Sequence, residues 1–387
     1  LLEAAHQRDL KVVLDGVFNH ASRGFFYFND ILENGPASPW LDWFKIEHWP
    51  LSAYDGSQPA NYGSWVNNRA LPEFNHHNPQ AREYIMQVAE YWISQGVDGW
   101  RLDVPFEIQV PGFWQEFRER VKAINPEAYL VGEIWTDARQ WLDGAQFDGV
   151  MNYLFTGPTL AFTASSRVVK DLVEQPPYHP YPPLDAPGYA DKIQTLLALY
   201  PWEIQLTQLN LLSSHDVARV LSVVDGDLAS VKLAVLLQMT FPGAPSIYYG
   251  DEVGLAGKVD PDCRRVFPPS AEWNIELLQW HRDLIRLRRQ HPVLSKGDYR
   301  LLAAQQSAYA FARILMTQSP LPSALEAVIV AVNVGESPAQ LPLSEVDFMD
   351  ASGEVQIWFG EGNIHRQNST LTLEIPPRSG LVIGRHQ

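Results

Sequence analysis

"NPQAREYIMQVAEYWISQGVDGWRLDV", Asn78–Val104, decides the fold. Apolar residues recur at helical spacing behind Asn78-Pro79, a start signal, and Gly96 closes the run. Val97–Val104 is short and mostly apolar, the pattern of a buried strand. A helix that feeds directly into a buried strand is half of a βαβ unit, in which crossover helices join parallel strands. Inside the strand stand Arg101 and Asp103, a cation and an anion two residues apart. Strand side chains repeat every two residues, so both point to one face.

The same alternation extends in both directions. "LKVVLDGVFNH" (10–20) reads as an earlier strand. "AYLVGEIW" (128–135), "FDGVMNYLF" (147–155), "LTQLNLLSSHD" (206–216) and "APSIYYGDEVG" (244–254) read as later ones. Helical patterns fall between them at 111–125 and 228–243, with a short one at 138–145, and a last long one covers 276–292. Residues 156–203 look helical apart from a Pro-rich loop at 174–188. The chain opens on "LLEAAHQRDL", which itself reads as part of a helix. Six units behind a partial helix predict an α/β fold, a (β/α)₈ TIM barrel whose first two strands are absent from this chain. A doubly wound sheet is the runner-up, but no Gly-rich phosphate loop follows any strand. Residues 21–78, rich in Trp, Pro, Asn and Gly, are too long for a plain loop and predict an inserted excursion domain. Beyond residue 295 the texture becomes short alternating segments divided by Gly, Pro and Ser. The expected division is a partial barrel at 1–295 and a C-terminal all-β sandwich at 296–387.

Composition excludes several classes. The 387 residues are 46% hydrophobic and 19% charged, a globular balance. A net charge of −16 argues against nucleic acid as partner, because phosphates need a basic face. No apolar run is long enough to span a bilayer. Cys263 is the single cysteine, so no disulfide forms within the chain, which fits a cytoplasmic rather than a secreted protein. Any signal peptide would lie upstream of this sequence. The 13 Trp and 15 Tyr serve a core first, but also suit a sugar-binding cleft.

Active sites of parallel barrels lie at the C-terminal ends of the strands. Asp15, Asn19 and His20 end the first apolar run; Arg101 and Asp103 end the second; Glu133 the third; His215 and Asp216 the fifth; Asp251 and Glu252 the sixth. Singly, each has an ordinary reading as a helix cap, an ion pair or a buried structural histidine. Together they converge carboxylates on one pit, which barrel stability does not require. Glycoside hydrolysis needs that set: one carboxylate to attack and one carboxylic acid to protonate the leaving oxygen. A metallohydrolase is the competing reading, with His20, His215 and several Asp as ligands. Against it, no H-E-x-x-H pair is present, and His76-His77 lies away from the strand ends.

The motifs resemble the α-amylase family, glycoside hydrolase family thirteen. "DGVFNH" (15–20), "GWRLDV" (99–104), "GEIW" (132–135) and "LLSSHD" (211–216) resemble its four conserved regions in order, and "LPEFN" (71–75) the region within the excursion. "FFYFNDILENGPASPWLDWF" (25–44) and "DPDCRR" (260–265) resemble the neopullulanase, cyclomaltodextrinase and maltogenic amylase group. The resemblance implies Asp103 as nucleophile, Glu133 as general acid/base and Asp216 as the third carboxylate. It implies substrate contacts from Arg101, His20 and His215, from Asp260 and Arg264 on the non-reducing side, and from Trp135 and Tyr153 on the leaving-group side. Asn19 matches a residue that binds structural calcium in some members; no cofactor is needed for the chemistry. The implied substrate is an α-glucan or maltooligosaccharide, cut at α-1,4 and also α-1,6 links with retention. An α-glucosidase or transglycosylase such as a trehalose synthase-like enzyme is the alternative, and a non-catalytic amylase-like binding module a third reading. In that group a further N-terminal domain serves homodimerisation. Pro105, Phe106, Glu73 and Phe74 depart from the group's usual residues, which leaves substrate preference open.

Overall fold

The computed structural model describes residues 1–174, 182–316, 325–344, 346, 355–367 and 370–385. Most of the Pro-rich loop expected at 174–188 lies outside them. The chain divides into two compact units: Leu1–Ile134 with Ala138–Val150, and Trp135–Asp137 with Met151–Gln387.

In the first unit, helix α1 (Pro79–Ser94) starts where Asn78 accepts hydrogen bonds from the amides of Gln80 and Ala81. Capping by Asn and a proline at the first turn satisfy donors that a helix start leaves orphaned. Ala81, Ile85, Met86, Ala89 and Ile93 form its buried stripe. Gly96, at φ +98°, lets the chain turn back into strand β2 (Gly99–Leu102). On one side β2 pairs in parallel with β1 (Val13–Gly16), and on the other with β3 (Tyr129–Gly132). Any Cβ at Gly99 would collide with the Tyr129 carbonyl, so close strand approach requires that glycine. Helix α2 (Phe113–Ile124) connects β2 to β3. Strand β4 (Gly149–Asn152) pairs through Gly149 and Val150 with β3. Residues 21–78 hold a nine-residue helix (Phe26–Asn34), several 3₁₀ turns and isolated antiparallel bridges such as Phe44 to Phe74. Aromatic packing organises this region, with Phe44 stacked on Phe74 at 5.1 Å and Tyr27 against Trp40 at 4.1 Å.

In the second unit, Met151 and Asn152 of β4 pair with β5 (Leu209–Leu211), which pairs with β6 (Ala244–Ser246), all parallel. The expected "FDGVMNYLF" strand stops at Asn152, and helix α3 (Tyr153–Thr163) takes over at once. Helix α4 (Ala186–Leu197) follows, then α5 (Leu228–Thr240), buried nearly all round, and α6 (Ile275–Gln290). Two antiparallel sheets then stack: β11–β14–β9–β8–β7 (Val355–Gly360, Ser379–Arg385, Leu325–Asn333, Ala308–Met316, Asp298–Gln305) and β10–β13–β12 (Ala339–Leu343, Thr370–Ile375, Asn363–Gln367). Ile329, Leu341, Leu343, Leu371, Leu373, Leu381 and Ile383 fill the space between them. Arg313 of β8 is completely buried and donates to the carbonyls of Thr240, Leu294 and Gly297, tying α5 to the sandwich.

Two expectations about local structure need correction. The barrel strands are three or four residues long, not eight to eleven, because the apolar runs continue past the paired segment into packed loops. Phe18, read as strand, lies beyond β1 and packs its ring on Trp100 (5.3 Å) and Phe117 (5.4 Å). "ARQWLDGA" (138–145) is a chain of turns rather than a helix. There Asp143 accepts the Ala145 amide at 2.9 Å and Gly144 sits at φ +87°, both turn features.

His76 is buried and its Nε2 donates to the Phe18 carbonyl at 2.8 Å. Burial lowers its pKa from 6.5 to about 4 against that hydrogen bond. The unfolded chain binds this proton first as pH falls, so the contribution is complete above pH 6.5 and lost towards pH 4. Urea unfolding should show stability dropping across that window, and His76→Gln should flatten the slope relative to the parent.

Candidate active site

The first unit gathers three carboxylates around one guanidinium, that of Arg101. The amide of Asp103 donates to the Gly16 carbonyl at 3.1 Å, and that of Glu133 to the Leu102 carbonyl at 2.9 Å. These bonds carry the ladder one residue past β2 and β3 and fix where both carboxylates leave the backbone. Arg101 Nη1 donates to Asp103 Oδ1 at 2.7 Å and to Asp15 Oδ1 at 2.9 Å. Its Nη2 meets Glu133 Oε1 at 2.8 Å as an ion pair whose angle is poor for a hydrogen bond. Glu133 Oε2 accepts the Val104 amide at 3.1 Å, and Glu133 is 3% exposed. Burial works against the Arg101 cation, but Glu133, Asp15 and Asp103 outweigh it and raise its pKa above the usual arginine value. The positive charge is therefore permanent. Val104 stands at φ +34°, ψ +50°, a left-handed conformation costly for a β-branched residue. Such strain persists only where surrounding structure over-determines it. Here the strained residue follows Asp103 directly and presents its amide to Glu133.

His20 is buried and stacks on Trp65 at 5.0 Å. Burial lowers its pKa, opposed by the charges of Asp103 and Glu73. At neutral pH it is an uncharged imidazole suited to hydrogen-bond a hydroxyl. Asn19 is fully buried and its Oδ1 has no hydrogen-bond partner among the described residues. One amide oxygen is a small part of the six to eight oxygens calcium takes. Among the described residues no three His, Cys, Asp or Glu side chains gather as a metal site. No step is assigned to a metal.

The second unit holds the other candidates. His215 Nε2 lies 3.2 Å from Asp216 Oδ2. Arg264 Nη2 lies 3.5 Å from Asp216 Oδ1, its Nε donates to the His215 carbonyl at 3.0 Å, and it pairs with Asp260 at 2.8 Å. The Asp216 amide donates to Ser214 Oγ at 3.1 Å, and Ser214 Oγ in turn meets the Tyr153 hydroxyl at 2.9 Å. Tyr153 is 2% exposed, so its hydroxyl props the loop after β5 rather than facing solvent. Trp135, half-buried, approaches Tyr153 edge-on at 6.0 Å.

Two supports escaped the sequence reading. Asp15 was among the strand-end residues but was assigned no role; it is the third carboxylate on Arg101. Arg219 was not singled out at all. It is fully buried, bonded to Asp251 (3.0 Å) and to the carbonyls of Tyr249 (2.7 Å) and Cys263 (2.8 Å), with Tyr248 against its guanidinium face at 4.2 Å. Burial raises the Asp251 pKa to about 7, although Ser213 and Arg219 oppose it. Cys263 Sγ donates to the His215 carbonyl at 3.1 Å, so Arg219 steadies the segment that bears Asp260, Arg264 and His215. Its signal was an arginine three residues after Asp216 in an otherwise apolar stretch.

A profile of the catalytic domain of α-amylase matches residues 1–276. The chain belongs to the α-amylase family. It is 38% identical to neopullulanase 2 of Thermoactinomyces vulgaris over 387 residues, covering 99% of this chain and 61% of that protein. It is 37% identical to the cyclomaltodextrinase of Geobacillus thermopakistaniensis (strain MAS1), covering 97% of this chain and 60% of that protein. The chain thus spans about three fifths of the length of these relatives. Among solved structures, the debranching enzyme from Nostoc punctiforme aligns with a TM-score of 0.92 at 59% identity, covering 99% of this chain and 78% of that one. These findings bear out the expected family and the parallel-sheet fold with C-terminal antiparallel sheets. No helix among the described residues is long and apolar enough to cross a membrane.

Removing one partner of a buried charge pair costs more than removing both. Arg101→Met should lower unfolding free energy by about 3–5 kcal/mol in urea titration. The double variant Arg101→Met/Glu133→Gln should recover much of that loss; no recovery would show that Glu133 does not depend on the arginine.

Proposed function

We propose that this chain carries the catalytic machinery of a retaining α-glucan hydrolase. The observation that carries the reading is the pairing of Asp103 and Glu133 on the two terminal nitrogens of Arg101. A guanidinium fork holds both facing oxygens within about 8 Å of each other, a bound that takes in the roughly 5–5.5 Å carboxyl spacing of retaining enzymes. Asp103, ion-paired to Arg101, attacks the anomeric carbon. Glu133, in its protonated form, gives its proton to the departing glycosidic oxygen. A covalent glycosyl–Asp103 ester results. Glu133 then takes a proton from water, which releases the sugar with its anomeric configuration retained. Asp216, placed after β5 beside His215 and Arg264, is assigned to the sugar hydroxyls and the oxocarbenium-like transition state. Neutral His20, together with His215, binds hydroxyls, and Trp135 offers a ring to the leaving-group sugar.

The substrates are maltooligosaccharides, cyclodextrins, pullulan or starch, cut at α-1,4 links and also at α-1,6 branch links. The relatives are named neopullulanase and cyclomaltodextrinase, and the 59% identical neighbour a debranching enzyme, which supports the branch-cutting option. No observation favours the transglycosylase or α-glucosidase alternative. Proton NMR of the first products from maltotriose and from pullulan should show the α-anomer before mutarotation. First-formed β-anomer would reject the double displacement.

A further inference from the structure

A hollow of about 590 Å³ lies in the first unit between the turn after Asp103 and the loop 138–146. Phe106, Trp141, Gln109, Gln115, Gln140 and Gln146 line it together with the apolar stretch around Val110 and Pro111. None of its lining residues is ionisable, in a chain that is 19% charged with a net charge of −16. The arginines bonded to its rim are committed elsewhere. Arg82 donates to the Gly112 carbonyl at 3.2 Å while its Nε holds Glu116 at 2.8 Å. Arg118 donates to the Gln146 carbonyl at 3.3 Å while it holds Asp148 at 2.8 Å.

The walls are built rather than incidental. Trp114 is 4% exposed, and its Nε1 donates to the Pro105 carbonyl at 3.0 Å, which fixes the turn that presents Phe106. Gln146, 8% exposed, donates to the Gln140 carbonyl at 2.8 Å and to Asp143 at 3.2 Å, which fixes the loop that presents Trp141. Gln140 is held by its main chain, and both it and Gln115 are exposed, so their amides are open to a ligand. Helix α2 starts at Gly112 without a side-chain cap.

An anion would require a cation that the hollow does not offer. A purely apolar ligand would leave the amides without partners. Aromatic faces combined with neutral amides match a neutral polyhydroxylated ring, whose C–H face packs on an aromatic plane while its hydroxyls pair with amides. We propose that this hollow is a glucan-binding subsite apart from the carboxylate cluster, with Trp141 and Phe106 as its aromatic walls and Gln115 and Gln140 as its hydroxyl-binding groups. It rests on the α-glucan reading above. Phe106, one of the departures from the related group, then has a role: it is three residues past Asp103 and extends the grip on the substrate chain beyond the reacting sugar.

The test titrates maltoheptaose by calorimetry into the full chain carrying Asp103→Asn, which binds without cutting. Adding Trp141→Ala should raise Kd about tenfold, as expected for loss of an aromatic anchor. Adding Gln115→Ala with Gln140→Ala should raise it several-fold, and Trp141→Phe should restore most of the affinity. Unchanged melting temperatures across the set would show that binding, not folding, is read. A parent that binds maltoheptaose with variants that bind it equally well overturns the subsite alone. A parent that binds none overturns the subsite together with the α-glucan reading.

Discussion

The carboxylate cluster of the first unit depends on one half-buried guanidinium. Arg101 holds Asp15, Asp103 and Glu133 at 2.9, 2.7 and 2.8 Å. Three carboxylates crowded together would repel one another and take up protons. The Arg101 cation, in contact with all three, offsets that repulsion. It can do so because β2 delivers its side chain to the same face as Asp103, and because β1 and β3 lie one ladder step away on either side. The parallel sheet is therefore a device for setting carboxylates from three separate segments around one charge.

The second unit solves a similar problem with Arg219. That side chain is spent on Asp251 and on main-chain carbonyls, so it positions rather than binds. Arg313, farther along, is spent wholly on carbonyls. Arg219 satisfies carbonyls in the loops after β6, and Arg313 satisfies carbonyls at helix ends; each would otherwise be left buried and unpaired, a cost of about 1–3 kcal/mol for each group. Loop carbonyls and helix ends alike are thus served by buried arginines. Apolar periodicity alone does not reveal them.

Much of the fold was legible because periodicity and punctuation agree. Asn78-Pro79 and Gly96 bracket α1, and Asn274 caps α6 by accepting the Leu277 amide at 2.9 Å. Strand ends were less legible: an apolar run cannot say where ladder pairing stops, and Phe18 or Leu212 bury themselves equally well outside a strand. The turn at 138–145 was misread because Trp141 and Leu142 mimic a helix face, while Asp143 and Gly144 decide the geometry locally. For the candidate site, the two-residue spacing of Arg101 and Asp103 predicts their shared face and their contact. The part played by Asp15 was not legible, since it depends on the register between β1 and β2, which pairs Asp15 with Arg101. Val104 carried no signal, because its strain arises from the surrounding packing.

The central claim is that Asp103 forms a covalent bond to the sugar. Incubating the chain with a 5-fluoro-α-glucosyl fluoride and mapping the labelled peptide by mass spectrometry tests it directly. The account predicts a single glycosyl adduct on Asp103, formed more slowly in Arg101→Met. An adduct on Glu133 or Asp216, or turnover of the fluoride by a chain in which Asp103 never becomes labelled, would contradict it.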